Sequence, residues 1–337
     1  MLLACVAMLG GCGSAQKYPV LGVVPLTAAA GQSTADLAAF HALVPAGTKL
    51  EKVASGFDWS EGPIWRKSGG YLLFSDIPKN TIYRWDPRGG LTVFLRPSGY
   101  TVPNPPGREL GSNGVKIDRQ DRIVMADHGN RQVARLDESN YTKVTLAARY
   151  EGKRLNSPND LIVRSNGDIY FTDPPYGLKG LNRDPAKELD FSGVYRLTPD
   201  GALTLLTREI TFPNGIAFSP DEKTLYVDNT DGQHPVWMAY PVLPDGSVGP
   251  GRVFFDAMPL VRQGQRGSPD GMAVDRQGNI FAAGPGGVIV LSPDGRHLGT
   301  IAIAGPVSNV AFGEDGRTLF VTANHDLVRI RTNTQGW

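Results

Sequence analysis

Six polar residues recur along the chain in one local setting, each just ahead of an apolar stretch: Glu61, Asn113, Asn159, Asn214, Asp270 and Asn309. Brought together, they would offer four amide oxygens and two carboxylates. An all-oxygen set with about two negative charges suits a hard cation such as calcium, which takes about 6–8 oxygens and accepts neutral carbonyls. It does not suit a structural zinc, which favours Cys and His. Each Asn also has a plainer reading, because Asn-Gly and Asp-Gly form turns. Asp294 follows an apolar run (GVIVL) and belongs to a hairpin, whereas Asp270 precedes one (MAVD) and opens a strand. Glu61 stands in register where no turn residue is needed, so the set as a whole reads as a metal site.

The elements that must position these residues follow from the repeat around them. SNGVKIDRQDRIVMAD, SPNDLIVRSNGDIYFTD, FPNGIAFSPDEKTLYVDN, SPDGMAVDRQGNIFAAG and VSNVAFGEDGRTLFVTA share one pattern, and SEGPIWRKSGGYLLFSD is a divergent first copy. The successive gaps between the polar positions are 52, 46, 55, 56 and 39 residues. Periods of this size with two to four strands per copy indicate a propeller or array. Period-two alternation punctuated by Gly and Pro argues against helices. The expected fold is all-β: a six-bladed β-propeller with four antiparallel strands per blade over residues 46–337. The sixth copy lacks a fourth strand, and TKLEKVAS (Thr48–Ser55) is an unclaimed strand that would complete it from the N-terminal side. In such a ring the first strand of each blade lines a central channel, which sets the six polar residues around one mouth.

Composition agrees. The 337 residues are 41% hydrophobic and 20% charged, with 41 Gly and 26 Pro, as many short strands and tight turns require. Formal net charge is +1 with no long basic run, so nucleic acid is not an expected partner. The only cysteines, Cys5 and Cys12, lie at the start, which leaves the rest without disulfides or thiolate metal sites. Residues 1–12 (MLLACVAMLGGC) read as an export signal, and Leu9-Gly10-Gly11-Cys12 as a lipoprotein box, although no Lys or Arg precedes the apolar run. The expected location is therefore periplasmic or membrane-anchored through Cys12, and cytoplasmic if the stretch is no signal. Residues 13–45 read as a tether with a short helix near Ala35–Leu43.

Ser60-Glu61-Gly62-Pro63-Ile64-Trp65, Ser157-Pro158-Asn159-Asp160, Phe171–Gly177 (FTDPPYG), Pro213-Asn214-Gly215 and Ser268-Pro269-Asp270-Gly271-Met272 resemble the SMP-30/gluconolactonase/LRE-like family over about residues 50–330. At greater distance the chain is similar to diisopropyl-fluorophosphatases and paraoxonases. The resemblance implies cation ligands at Glu61, Asn159, Asn214 and Asp270, with Asp270 also handling proton transfer. Asn113 and Asn309 are not usual ligands in the family; they line the channel, where Asn113 and Asn159 can meet substrate. The implied reaction is the metal-dependent opening of an aldonolactone such as gluconolactone to its acid. Calcium is the expected ion, with zinc, magnesium and manganese as alternatives. His128, in Ala126-Asp127-His128-Gly129-Asn130, is a second candidate base, at a place where paraoxonase-like proteins carry a working His. Asp173 and Tyr176, on a loop over the mouth, and Arg108, on the insert Gly99–Leu110, are candidate substrate contacts. Trp59, Trp65 and Trp85 read as core. Two other readings stay open: a phosphotriesterase-like esterase using the same cation, and a non-catalytic binding propeller that calcium stabilises.

Overall fold

The computed structural model describes residues 18–23, 33–101, 107 and 109–337. Five antiparallel blades are each built from four consecutive strands, and a sixth joins three strands from the end of the chain to two from its N-terminal side. Blade one comprises Ser60–Arg66, Tyr71–Asp76, Thr81–Asp86 and Gly90–Leu95. The inner strands of blades two to six are Val115–Ile117, Leu161–Val163, Pro213–Phe218, Met272–Val274 and Asn309–Gly313. Each inner strand touches that of the next blade, and the last touches the first, which closes the ring.

Burial explains the sequence pattern. Second strands such as Tyr71–Asp76, Ile123–Asp127 and Thr318–Ala323 are buried at every position, because neighbouring blades cover both faces. They therefore read as short unbroken apolar runs. Outermost strands such as Gly90–Leu95 are largely exposed and mixed in character. The core lies between blades: Phe281, Val288 and Val290 of the fifth pack with Leu319, Val321 and Val328 of the sixth.

The ring closes as the sequence suggests. Lys49–Ser55 pairs antiparallel with Asp326–Arg331 and supplies the missing fourth strand of blade six. A fifth strand, Val20–Val23, then pairs with Lys49–Ser55. The helix Thr34–Leu43, capped by Ser33, buries Phe40 and Leu43 in the core of blades five and six. The described parts of the stretch read as a tether are thus docked on the propeller, and that expectation is corrected. Phe40 lies over Gly299, where a side-chain carbon would stand 2.7 Å from its ring. Cys5, Cys12 and the leader-like residues 1–12 lie outside the described residues.

Candidate active site at the channel mouth

A recurring β-bulge aims the polar residues. The Asn113 N–H donates to the Ala126 carbonyl, while the Ala126 N–H donates to Gly114, so two residues oppose one. The same exchange joins Asn159 and Asp160 to Thr172, and Asp270 and Gly271 to Ala283. Register shifts between Glu61 and Ile64, and between Pro213 and Ile216, mark the equivalent places in blades one and four. Bulges re-aim side chains and are frequent beside active sites. Gly114 and Gly271, which follow ring residues, are not turn glycines, because neither has a positive φ. They permit close approach: a side-chain carbon on Gly114 would stand 2.5 Å from an Asp160 oxygen, and one on Gly271 would overlap Asn309.

A cavity of about 430 Å³ opens at this mouth, lined by Glu61, Asn113, Asn159, Asn214 and Asp270, with Trp59, Glu109, Tyr176 and Thr230 among its walls. Five of the six repeat positions therefore share one cavity. The sixth, Asn309, is buried beneath it, donating to Glu61 Oε2 (3.2 Å) and Asp160 Oδ2 (3.3 Å). Asn113 donates to the Asn159 amide oxygen at 3.0 Å, and Asn214 donates to Thr230 at 3.0 Å.

The site is crowded with negative charge. Burial, with Asp160 nearby, pushes Glu61 up to about 8. Its largely dry setting, and then Glu61 and Asp228, hold Asp270 well above the usual carboxylate range. Asp228 is held up in the same way, by burial first. Both Asp228 oxygens and the Asn113 amide oxygen are buried without a hydrogen-bond partner among the described residues. Among the described residues, Lys116 is a cation beside this group, 3.3 Å from Asp160. Like charges crowded together in a buried site are costly, and one divalent cation held among these carboxylates would relieve that crowding. Glu61, Asn159, Asn214 and Asp270 fit such an ion by type, being hard oxygen donors.

The chain matches the SMP-30/Gluconolactonase/LRE-like region over residues 59–325. It belongs to that family. It is 44% identical over 306 residues to a gluconolactonase of Zymomonas mobilis subsp. mobilis, covering 88% of this chain and 84% of the relative. Among solved structures, it is similar to a gluconolactonase from Xanthomonas campestris, with a TM-score of 0.76 and 35% identity over 88% of this chain and 92% of that one. A calcium-binding regucalcin from Agrobacterium tumefaciens shares the fold, with a TM-score of 0.67 and 21% identity over 85% of this chain and 94% of that one.

Within this SMP-30/gluconolactonase/LRE-like chain, two expected residues, Asp173 and His128, stand elsewhere than the cavity wall. Asp173 is fully buried, and its carboxylate accepts the Asn156 and Ser157 N–H groups at 2.7 and 2.8 Å. Asp76 holds the Asp58 and Trp59 N–H groups in the same way two blades earlier. Asp173 therefore pins the approach to Asn159 and is not placed to meet a substrate, which corrects the expectation. His128 is also fully buried, behind Glu109. Arg108 lies outside the described residues. Tyr176 does line the cavity, stacked on Phe212 with ring centres 5.6 Å apart, and burial raises its hydroxyl above the usual range. Trp85 is core, and Trp65 stacks on Phe320, whereas Trp59 walls the cavity, contrary to the sequence reading. The sequence reading missed Glu109, Thr230, Asp160 and Asp228. Of these, Asp160 alone had a signal, since it fills the position that Gly holds after Asn113, Asn214 and Asp270.

Proposed function

We propose that this cavity opens a sugar lactone of the gluconolactone type to its aldonic acid, with a divalent cation held by Glu61, Asn159, Asn214 and Asp270. The observation that carries the reading is the convergence of those four oxygen donors on one cavity, in a chain 44% identical to a gluconolactonase. Calcium suits the donor set best, because two of the four donors are neutral amide oxygens. A cation bound there supplies Lewis-acid polarisation of the lactone carbonyl and positive charge for the oxyanion.

The chain's own groups do the rest. Asp270 Oδ1 is fixed by the Gly271 N–H at 3.0 Å, which orients the carboxylate on the cavity. It takes a proton from the attacking water, a role that needs hydrogen-bond reach to that water. Asn113, with its unpartnered amide oxygen, accepts from a sugar hydroxyl. Trp59 and Tyr176 give the cavity aromatic walls on which the apolar face of a sugar ring can rest.

Acid release from D-glucono-δ-lactone in a pH-stat, with and without chelator, tests the reading. Turnover should stop on chelation and return when calcium is added back. Lactone opening at the same rate in excess chelator would remove the cation from the account. No lactone opening at all would leave the propeller as a binding protein.

A further inference from the structure

Opening a lactone needs two proton transfers, and Asp270 accounts for one. The attacking water must lose a proton, and the departing ring oxygen must gain one, since an aliphatic alkoxide is a poor leaving group. The second group is identifiable from a pair at the edge of the cavity. Glu109 lines the cavity, with its side chain 19% exposed, and its Oε2 stands 2.9 Å from His128 Nε2.

Two contacts hold the buried imidazole. Its Nδ1 lies 3.1 Å from the Pro158 carbonyl oxygen, and a side-chain carbon at Gly177 would stand 2.9 Å from its Cδ2. A carbonyl oxygen only accepts, so Nδ1 carries a hydrogen and donates it. In a neutral ring Nε2 would then present a lone pair to the Glu109 carboxylate. Nε2 and the Glu109 Oε2 stand 2.9 Å apart, within the distance over which a proton can pass between the two groups. The approach falls short of good hydrogen-bond alignment, because Nε2 has no partner that meets full geometry.

We propose that Glu109 is the general acid that protonates the leaving ring oxygen, with His128 as the positioning residue that keeps the proton on the pair. The inference rests on the lactonase reading above and adds a residue to it. The steps balance as follows. The water oxygen bonds to the lactone carbonyl carbon, and one water proton passes to Asp270. The tetrahedral intermediate collapses, and the bond between the carbonyl carbon and the ring oxygen breaks. The ring oxygen leaves with the electron pair and takes the proton held between Glu109 and His128. The product is the hydroxy acid, and the proton on Asp270 returns through solvent to the emptied pair.

The test compares leaving groups. Wild type, Glu109→Gln, Glu109→Asp and His128→Gln are assayed on D-glucono-δ-lactone, whose leaving group is an aliphatic alcohol. They are also assayed on dihydrocoumarin, whose phenoxide leaves without help. Glu109→Gln should lower kcat on the sugar lactone about 100-fold with KM little changed, as loss of a general acid does. The same variant should change the dihydrocoumarin rate by less than about threefold on that account. Glu109→Asp, which keeps a carboxyl group, should recover at least about tenfold over Glu109→Gln, and His128→Gln should fall between them. Equal losses on both substrates, or equal losses in Glu109→Asp and Glu109→Gln, would overturn the proposal. So would an unchanged sugar-lactone rate in Glu109→Gln. If dihydrocoumarin is not turned over, the comparison of Glu109→Asp with Glu109→Gln decides alone. A wild type that opens no lactone would instead refute the lactonase reading.

Discussion

At the scale of single residues, the ring around the channel mouth separates ligands from props. Glu61 and Asp270 bring the formal charge to the proposed ion site, and each is fixed by the N–H of the residue that follows it. Glu61→Gln and Asp270→Ala should each lower kcat/KM for lactone about 10²–10³-fold or more. Both should keep the wild-type circular dichroism spectrum and lose calcium binding by calorimetry. Asp173 is a prop, and its prediction concerns stability. Burial pushes it up to about 7 in the folded chain, above the ordinary value it has when unfolded. Between about pH 4 and pH 7 the folded state therefore holds a proton that the unfolded state has lost. This group's contribution to stability falls as pH rises through that window and is flat above it. Asp173→Asn should remove that slope from urea midpoints measured between pH 4 and 8; an unaltered slope would contradict the assignment. The ring residues were legible because they repeat. Asp173 was misread because an Asp in a Pro-rich loop looks the same whether its oxygens face a sugar or two backbone N–H groups. Glu109 gave no signal, since its place depends on an insert found in one blade only.

At the scale of the element, the bulge is what turns a strand start into a ligand. Two residues opposite one let the Asn or Asp side chain reach the mouth while the strand beyond it resumes normal pairing. The glycine after it then admits the neighbouring blade. Gly271→Ala would drive a methyl group into Asn309, whose amide also supports Glu61. The variant should lose about 1–3 kcal/mol or more of stability by overpacking and weaken cation binding with it. Gly232→Ala, where nothing lies within 4 Å, should melt as wild type does. Differential scanning calorimetry of the two variants checks this. The sequence alone showed Asn-Gly and Asp-Gly and left turn and ligand as rival readings. Backbone conformation separates them, because ordinary turn glycines such as Gly201 and Gly295 have positive φ and the ring glycines Gly114 and Gly271 do not.

At the scale of the whole molecule, closure protects the site. Ligands from separate blades meet only if the ring is shut, and Lys49–Ser55 shuts it by filling the edge of blade six. The helix Thr34–Leu43 reinforces that seam through Phe40, so Phe40→Ala should cost about 3–5 kcal/mol in denaturant unfolding, with cation binding kept in the surviving folded fraction. Blade number and closure were legible from the period and from the strand missing in the last copy. Docking of the N-terminal segment was not, because its Ala-rich helix shows little apolar periodicity and buries only Phe40 and Leu43. The account as a whole depends on oxygens from four blades binding one ion. An anomalous-difference map from crystals soaked with a lanthanide or calcium tests that most directly. It should show one strong peak within about 2.3–2.6 Å of oxygens from Glu61, Asn159, Asn214 and Asp270. A featureless map at the channel mouth, in crystals of protein that still opens lactones, would contradict it.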